Sequence, residues 1–293
     1  MSHSGVMPMT QARSRNFHRF YDINGWCFVL ASLTLVLLFM IYPILNSLWL
    51  SLHSGKGVIV QFVGFGNITR LMNDQVFITA LTNTLIFLIV QVPLMNSPNV
   101  RFRSFFRMAI FLPCVTSLVA YSILFKSMFG YDGIVNSALM TIGLIEHPIA
   151  WLTDPFWSKV TIILAITWRW TGYNMIFYLA AMQNIDKSIY EAAKLEGVSP
   201  VQTFFHITVP LLKPVILFTS VMSTIGTLQL FDEVMNITNG GPANATLTLS
   251  MYIYNLSFKF VPNFGYAATV SYVIVFFAAV LALVQFKFVQ DKK

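Results

Sequence analysis

The sequence predicts an all-α integral membrane protein with six transmembrane helices, and three observations lead there. The 293 residues are 56% hydrophobic and only 10% charged, at a mean hydropathy of +0.70, whereas a soluble domain carries about 25% charged residues. The apolar residues gather into six runs, each near the ~20 residues that a helix needs to cross a hydrocarbon core of ~30 Å. Most basic residues fall on alternate connections between the runs, the asymmetry that sets membrane topology. A second soluble domain has no room.

The first run, Trp26 to Trp49, follows a polar segment that ends at Asn24. It is too long for a signal-peptide core and has no clear small-residue cleavage site, so it reads as an uncleaved first span. Pro43 is placed to kink it. After a more polar stretch, Ser51 to Gln75, the second run extends from Ile78 to Met95, contains Asn83 and Pro93, and stops at Asn96-Ser97-Pro98-Asn99. At ~1.5 Å per residue it reaches ~27 Å, which is barely long enough. The third run, Met108 to Phe125, holds Pro113. A loop from Phe129 to Ser158, with Gly130, Asp132, Gly133 and Pro148, leads to the fourth run, Val160 to Met182. The fifth runs from Pro214 to Leu230. A loop with Asn239-Gly240-Gly241-Pro242 precedes the sixth, Ala267 to Phe286.

Six spans place both termini on one side. The first tail carries Arg13, Arg15 and Arg19, the loop after the second run Arg101, Arg103 and Arg107, the loop after the fourth run Lys187, Lys194 and Lys213, and the last tail Lys287, Lys292 and Lys293. Only Lys56, Arg70, Lys126, Lys159, Arg169 and Lys259 lie elsewhere. The positive-inside rule makes the first set, and both termini, cytoplasmic. Charge beside apolar spans also accounts for the net +7 without nucleic acid as a partner.

The longest amphipathic, charge-bearing stretch is 184–214. It reads as two short helices with a break between them. Ser188 and Glu191 have capping-box spacing, and Gly197 can supply a left-handed stop. Ser199, Pro200 and Gln202 restart a helix as N-cap, first-turn proline and third-position glutamine. Pro210 has no N–H to donate, so this second helix is expected to end or kink before it. Read from composition alone, the stretch is an interfacial helix pair lying on the membrane.

The order of Glu191, Ala192, Ala193, Gly197, Ile207 and Pro210 resembles the EAA loop of the membrane subunits of binding-protein-dependent ABC importers, with Glu196 and Val198 as mild departures from the family's usual Asp and Ala. Phe231-Asp232, Thr238-Asn239-Gly240-Gly241-Pro242, Thr246 and Tyr252-Ile253-Tyr254 follow at the distances found in carbohydrate importer permeases. Asn83-Thr84-Leu85, Phe106-Arg107 with Leu112-Pro113, and Gly265-Tyr266-Ala267-Ala268 also match family positions. The resemblance covers nearly the whole chain after Phe65. It implies a type I importer permease fold with a cytoplasmic tail (1–25) and one transmembrane permease domain (26–293) containing the coupling loop (184–214). It also implies a bacterial inner-membrane location, a second homologous permease, two copies of an ABC ATPase and an extracytoplasmic solute-binding protein. ATP-driven closure of the ATPases would rock the spans through Glu191, Ala192, Ala193 and Gly197, with Glu191 meeting a basic residue of the ATPase groove.

The chain has no phosphate-binding G-x-x-x-x-G-K-[ST] loop, no paired catalytic carboxylates and no metal-spaced histidines, so no enzymatic activity, cofactor or metal is expected. His3, His18, His53, His147 and His206 are scattered, and Cys27 and Cys114 lie in apolar segments as packing residues. A polar group inside a span is expensive in lipid and tends to face a cavity. Trp170, Gly172, Tyr173 and Asn174 of the fourth span, with Ser223, Thr227 and Gln229 of the fifth, match positions from which the family builds its sugar site. The alternative is helix packing, with small and hydroxyl residues as glue. Asn174 and Gln229 are expected to share one cavity. Arg169, in mid-span, needs a partner, and Asp232 is the candidate. A permease for a phosphodiester or amino acid is the nearest alternative. A secondary transporter is a further one, weakened because the spans offer little ionisable beyond Arg169.

Overall fold

The computed structural model describes residues 25–26, 29–55, 60–95 and 116–290. The residues it does not describe include Arg13, Arg15, Arg19, both cysteines, Lys56, the 96–99 segment, Arg101, Arg103, Arg107, the first part of the third run with Pro113, Lys292 and Lys293.

Helix α1, Val29–Ser51, presents apolar side chains to its surroundings along its whole length. A π turn at Leu37–Ile41 sits just ahead of Pro43. Inserting one residue into the helical ladder is one way to accommodate a ring that cannot donate. A two-residue antiparallel hairpin, β1 (His53–Ser54) and β2 (Gln61–Phe62), leads to α2, Gly66–Met72. Asn67 of α2 donates through Nδ2 to the carbonyls of Ser51 and His53, each at 2.8 Å.

Helix α3, Gln75–Met95, leaves α2 at a 70° bend. Asp74 stands at the bend and caps α3, accepting from the N–H groups of Val76 (2.9 Å) and Phe77 (3.2 Å). Its other carboxylate oxygen accepts from the hydroxyls of Tyr252 and Tyr266, and the Arg70 guanidinium lies 4.2 Å from the centre of the Tyr266 ring. With this start α3 has 21 residues, about 31 Å, so the second run is longer than its apolar residues alone indicate.

Helix α4, Leu118–Met128, is capped by Ser117, and α5 is Ile134–Thr141. The loop behind α5 is organised by Asn136, which is fully buried. Its Nδ2 donates to the carbonyls of Tyr131 and Ile149, both at 2.9 Å, and its Oδ1 accepts from the Ile149 N–H at 3.1 Å and the Trp151 indole at 2.8 Å. An apolar residue there strands two donors and two acceptors, each costing about 1–3 kcal/mol when buried. Asn136→Leu is therefore expected to lower stability by roughly 3–5 kcal/mol, read as a drop in the thermal unfolding midpoint in detergent. An unchanged midpoint would remove Asn136 as the organiser of this loop.

Helix α6, Pro155–Gln183, starts on Asp154, which accepts from the Phe156 and Trp157 N–H groups, with Pro155 in the first turn. Helix α7 is Lys187–Leu195, and α8 runs without interruption from Pro200 to Leu228. This corrects three expectations. The stretch 184–214 holds one free-standing short helix and the first turns of a long one, so the fifth run begins at Pro200 and not at Pro214. The helix neither ends nor breaks at Pro210, because a π turn at Phe204–Thr208 shifts the ladder just before it. The N-cap of α7 is Asp186, which accepts from the Ser188 N–H at 2.9 Å, and not Ser188.

Helix α9, Asp232–Ile237, and α10, Leu249–Tyr254, which continues in a π turn at Asn255–Lys259, precede α11, Phe264–Gln290. Among the described residues α1, α8 and α11 are long and apolar enough to cross a membrane, and the bent α2–α3 pair makes a fourth candidate. Helix α6 has the length, at 29 residues, but carries Arg169 and a polar face. The buried core lies where α3, α4, α6, α8, α10 and α11 meet, around Phe87, Tyr121, Ile162, Ile166, Leu228, Leu249 and Tyr266.

Candidate functional site

Two regions carry the residues singled out from the sequence. The first is α7. Its ending follows from one glycine: Gly197 has φ +73°, and the Val198 N–H reaches the Ala193 carbonyl (3.0 Å) while the Gly197 N–H reaches that of Lys194 (3.2 Å), the paired bonds of a Schellman stop. The next helix then starts with the capping box expected of Ser199 and Gln202. The Ser188 backbone N–H, and then its hydroxyl, hold the Asp186 carboxyl below the usual carboxylate range. Tyr190 and Ala193 face inward: Ala193 is buried, and the Tyr190 hydroxyl lies 3.3 Å from Thr208 Oγ1 in the π turn of α8. Ser188, Glu191, Ala192 and Leu195, at one-face helical spacing, are exposed. Leu195 is 90% exposed.

The second region is the seam between α6 and α8. The Tyr178 hydroxyl lies 2.8 Å from Thr219 Oγ1. Asn174 Nδ2 donates to Ser223 Oγ at 3.2 Å. The Trp170 indole lies on Gly226, where an added Cβ would come within 2.3 Å of the ring. Each turn back along α6 matches a turn forward along α8, so the helices are antiparallel in one register. Following that register, α8 stops at Leu228 level with Arg169, which is the middle residue of α6. Helix α8 therefore ends halfway along α6.

The structure brings Trp170, Asn174, Ser223 and Thr227 together on this seam. Thr227 is buried and donates to Gln91 Oε1 of α3 at 2.8 Å; Gly172 is also buried. Asn174 is buried between the helices, and its Oδ1 has no hydrogen-bond partner among the described residues. Gln229 is exposed, just past the end of α8. Asn174 and Gln229 thus differ in setting: Asn174 is buried in the seam with Nδ2 bonded to Ser223 and Oδ1 unpartnered among the described residues, while Gln229 stands exposed beyond the end of α8. Tyr173 is exposed and stacks edge-on with Trp170 (5.4 Å between centroids) and Phe177 (5.1 Å), and Phe177 continues to Phe218 at 5.3 Å. This aromatic row runs along α6 and crosses to α8.

The partner of Arg169 is Glu233, not Asp232. Arg169 Nη1 lies 2.7 Å from Glu233 Oε1, with side-chain exposures of 30% and 4% respectively. Glu233 lies in the first turn of α9, and the phase of that short helix turns it, rather than its neighbour, toward α6. The Tyr121 ring centre is 5.7 Å from the Arg169 guanidinium.

The segment after α9 hangs on α3. Asn83 Nδ2 donates to the carbonyls of Asn244 (2.9 Å) and Leu247 (3.0 Å), and Thr84 Oγ1 accepts from the Leu249 N–H (3.1 Å). Thr246 Oγ1 donates to the Gly241 carbonyl and pairs with Thr238, and Thr248 Oγ1 donates to the Leu230 carbonyl. Asn83-Thr84 and the Gly-Gly-Pro loop, far apart in sequence, are thus one structural unit. Gly226, Glu233 and Gln91 were not singled out from the sequence. A glycine inside the apolar fifth run was the one signal that pointed to Gly226. Among the described residues no group of three or more His, Cys, Asp or Glu is placed to hold a metal ion.

These long apolar helices, one ending halfway along its neighbour beside a mid-helix ion pair, are those of a helical membrane protein. The chain belongs to the family of binding-protein-dependent transport system inner membrane components, whose model matches residues 27–290. It is an inner-membrane permease and not an enzyme. It is 61% identical to the lactose transport system permease protein of Rhizobium radiobacter, over 97% of this chain and 99% of that one. It is 34% identical to the arabinooligosaccharides transport system permease protein of Bacillus subtilis, over 86% and 83% of the two chains. Its fold matches a chain in the crystal structure of a bacterial ABC transporter that imports the acidic polysaccharide alginate, with a TM-score of 0.78 at 22% identity, covering 97% of this chain and 100% of that one. It also matches a chain of the alginate ABC transporter in complex with an alginate pentasaccharide-bound periplasmic protein (TM-score 0.73, 24% identity, 94% of each chain).

Proposed function

We propose that this chain is the membrane-spanning subunit of an ATP-driven sugar importer and that lactose is its substrate. It lines the translocation pathway together with a second, homologous permease. Two copies of an ABC ATPase dock on the cytoplasmic face, and an extracytoplasmic binding protein delivers the sugar. The observation that carries this reading is the end of α8 at half the length of α6. Backbone that leaves a helix at membrane depth is tolerated only where protein buries it or where it lines a water-filled cavity, and broken helices at mid-depth mark the substrate sites of many transporters. Gln229 is exposed at that break. The row of Trp170, Tyr173 and Phe177 offers aromatic faces for the C–H surfaces of a sugar. Asn174, Ser223 and Thr227 serve this reading by fixing the seam, and buried Gly172 lies beside them on α6. The substrate assignment is supported by the identity to a lactose permease across nearly the full length.

In this reading the chain crosses the membrane six times with both termini in the cytoplasm. Residues 26–293 form one permease domain. The segment 184–214 is the coupling loop, with Glu191, Ala192, Ala193 and Gly197 at the ATPase contact. Closure of the ATPases on ATP moves α7, and through Tyr190 and Thr208 it moves α8. A cysteine in place of exposed Ser199 is expected to react with an impermeant thiol reagent only from the cytoplasm, and one in place of exposed Ala243 only from outside. Labelling of both from one side would break the six-span topology. Affinity purification of the chain from native membranes is expected to bring down an ATPase and a second permease; a chain that purifies alone, intact and functional, would overturn the assignment.

A further inference from the structure

We infer that Arg169 is a substrate-contacting residue, recognising a pair of neighbouring hydroxyls on an uncharged sugar, and that Glu233 is the positioning residue that holds it. This rests on the sugar-importer reading above. Arg169 sits at the middle of α6, level with the end of α8 and with exposed Gln229. A cation at such a depth is costly. A buried ion pair by itself is weak evidence of stabilisation, because apolar residues of similar volume often do as well. The pair therefore calls for a reason beyond packing.

The asymmetry of the pair supplies one. The Glu233 side chain is sealed, at 4% exposure, while that of Arg169 is 30% exposed. One guanidinium nitrogen, Nη1, bonds to Glu233, and the buried Tyr121 hydroxyl also interacts with the guanidinium and with Glu233. A guanidinium carries several N–H donors in a fixed planar fork. The Arg169 side chain as a whole is 30% exposed, so donors left over from these contacts can be met by water or ligand oxygens, which unpaired donors in a low-dielectric site require. The fork suits two adjacent oxygens. Tyr173, one turn along the same face of α6, begins the exposed part of the aromatic row. A sugar lying on that row presents its ring hydroxyls at its edge, at the level of Arg169. Because Glu233 neutralises Arg169, the pair carries no net charge and Arg169 offers its donors without a free cation, which suits a neutral saccharide better than an acidic one.

Two variants test this in the complete importer in proteoliposomes, with lactose and its monodeoxy derivatives as probes. Arg169→Lys keeps the charge opposite Glu233 but loses the fork. The pair Arg169→Gln with Glu233→Gln removes both charges while leaving an amide pair across the same gap, so no ion is buried alone. Both are expected to assemble with wild-type yield and thermal midpoint, and to transport lactose roughly tenfold more slowly per assembled complex when loaded binding protein is limiting. In the wild type at least one monodeoxy lactose is expected to lose about tenfold in uptake relative to lactose, and in both variants that difference disappears. Wild-type uptake by either assembled variant overturns the inference, and so does an unchanged pattern across the monodeoxy sugars. Absence of lactose uptake in the wild type would instead defeat the sugar-importer reading itself.

Discussion

Glu191→Lys is expected to abolish transport while leaving the protein in the membrane at normal levels. Glu191 lies on the exposed face of α7 with Ser188, Ala192 and Leu195, opposite the face that docks on α8 through Tyr190 and Ala193. It makes no hydrogen bond or ion pair within the chain among the described residues, so its replacement removes nothing that holds the fold. In the proposed docking, Glu191 meets a basic residue of the ATPase groove beside exposed Leu195, and reversing its charge places like charges face to face. Sugar uptake in membrane vesicles should fall to background, and the ATPase should no longer purify with the chain, while the thermal midpoint of the isolated permease stays put. Wild-type uptake in Glu191→Lys would remove the coupling role of α7.

The second large effect is structural. Gly226→Val is expected to prevent accumulation of folded protein. A Cβ at this position would lie 2.3 Å from one carbon of the Trp170 ring and 2.6 Å from another, far inside van der Waals contact, and a rigid indole cannot bend away. Overpacking a well-filled core costs about 1–3 kcal/mol, and here the obstacle is an aromatic ring between two long helices that the Asn174–Ser223 and Tyr178–Thr219 contacts hold together on one side of it. Either α6 and α8 separate, stranding Asn174 and Ser223, or the indole leaves the seam. Yield of monodisperse protein in detergent is the measure. Combining Trp170→Ala with Gly226→Val should restore the yield, because the space taken by the new side chain is vacated. Failure of the double variant to recover, with normal yield of Trp170→Ala alone, would mean that Gly226 matters for another reason.

Features that depend on a few neighbouring residues were legible in the sequence. The left-handed stop at Gly197 and the capping box of Ser199 and Gln202 are encoded within a handful of positions and appear in the structure as read. Asn83-Thr84 and the Gly-Gly-Pro loop with Tyr252 are legible only as separate positions of the resemblance, and their joining into one unit is not. The hydrogen bonds from Asn83 to Asn244 and Leu247 supply its physical reason. Pro210 was misread because a π turn has no sequence signature: a missing donor predicts a break, and the chain inserts one extra residue into the ladder instead. The partner of Arg169 was missed by one residue because α9 spans only six residues, too few for periodicity to reveal which acidic side chain faces α6. Asn174 and Gln229 are paired only through the family resemblance; α8 ends between Ser223 and Gln229, so one is fixed in a seam and the other stands in the open. Asn136 belongs to no motif, and its role depends on Trp151 folding back over α5, which only three-dimensional structure reveals.

The most direct test of the account is transport by purified components. The chain, its partner permease and the ATPase, reconstituted in proteoliposomes with lactose-loaded binding protein, should accumulate labelled lactose only when ATP is present on the face carrying α7. Omitting the ATPase should abolish accumulation, and an imposed proton or sodium gradient should not replace it. Lactose accumulation driven by an ion gradient, in liposomes that hold neither ATPase nor ATP, would contradict the account.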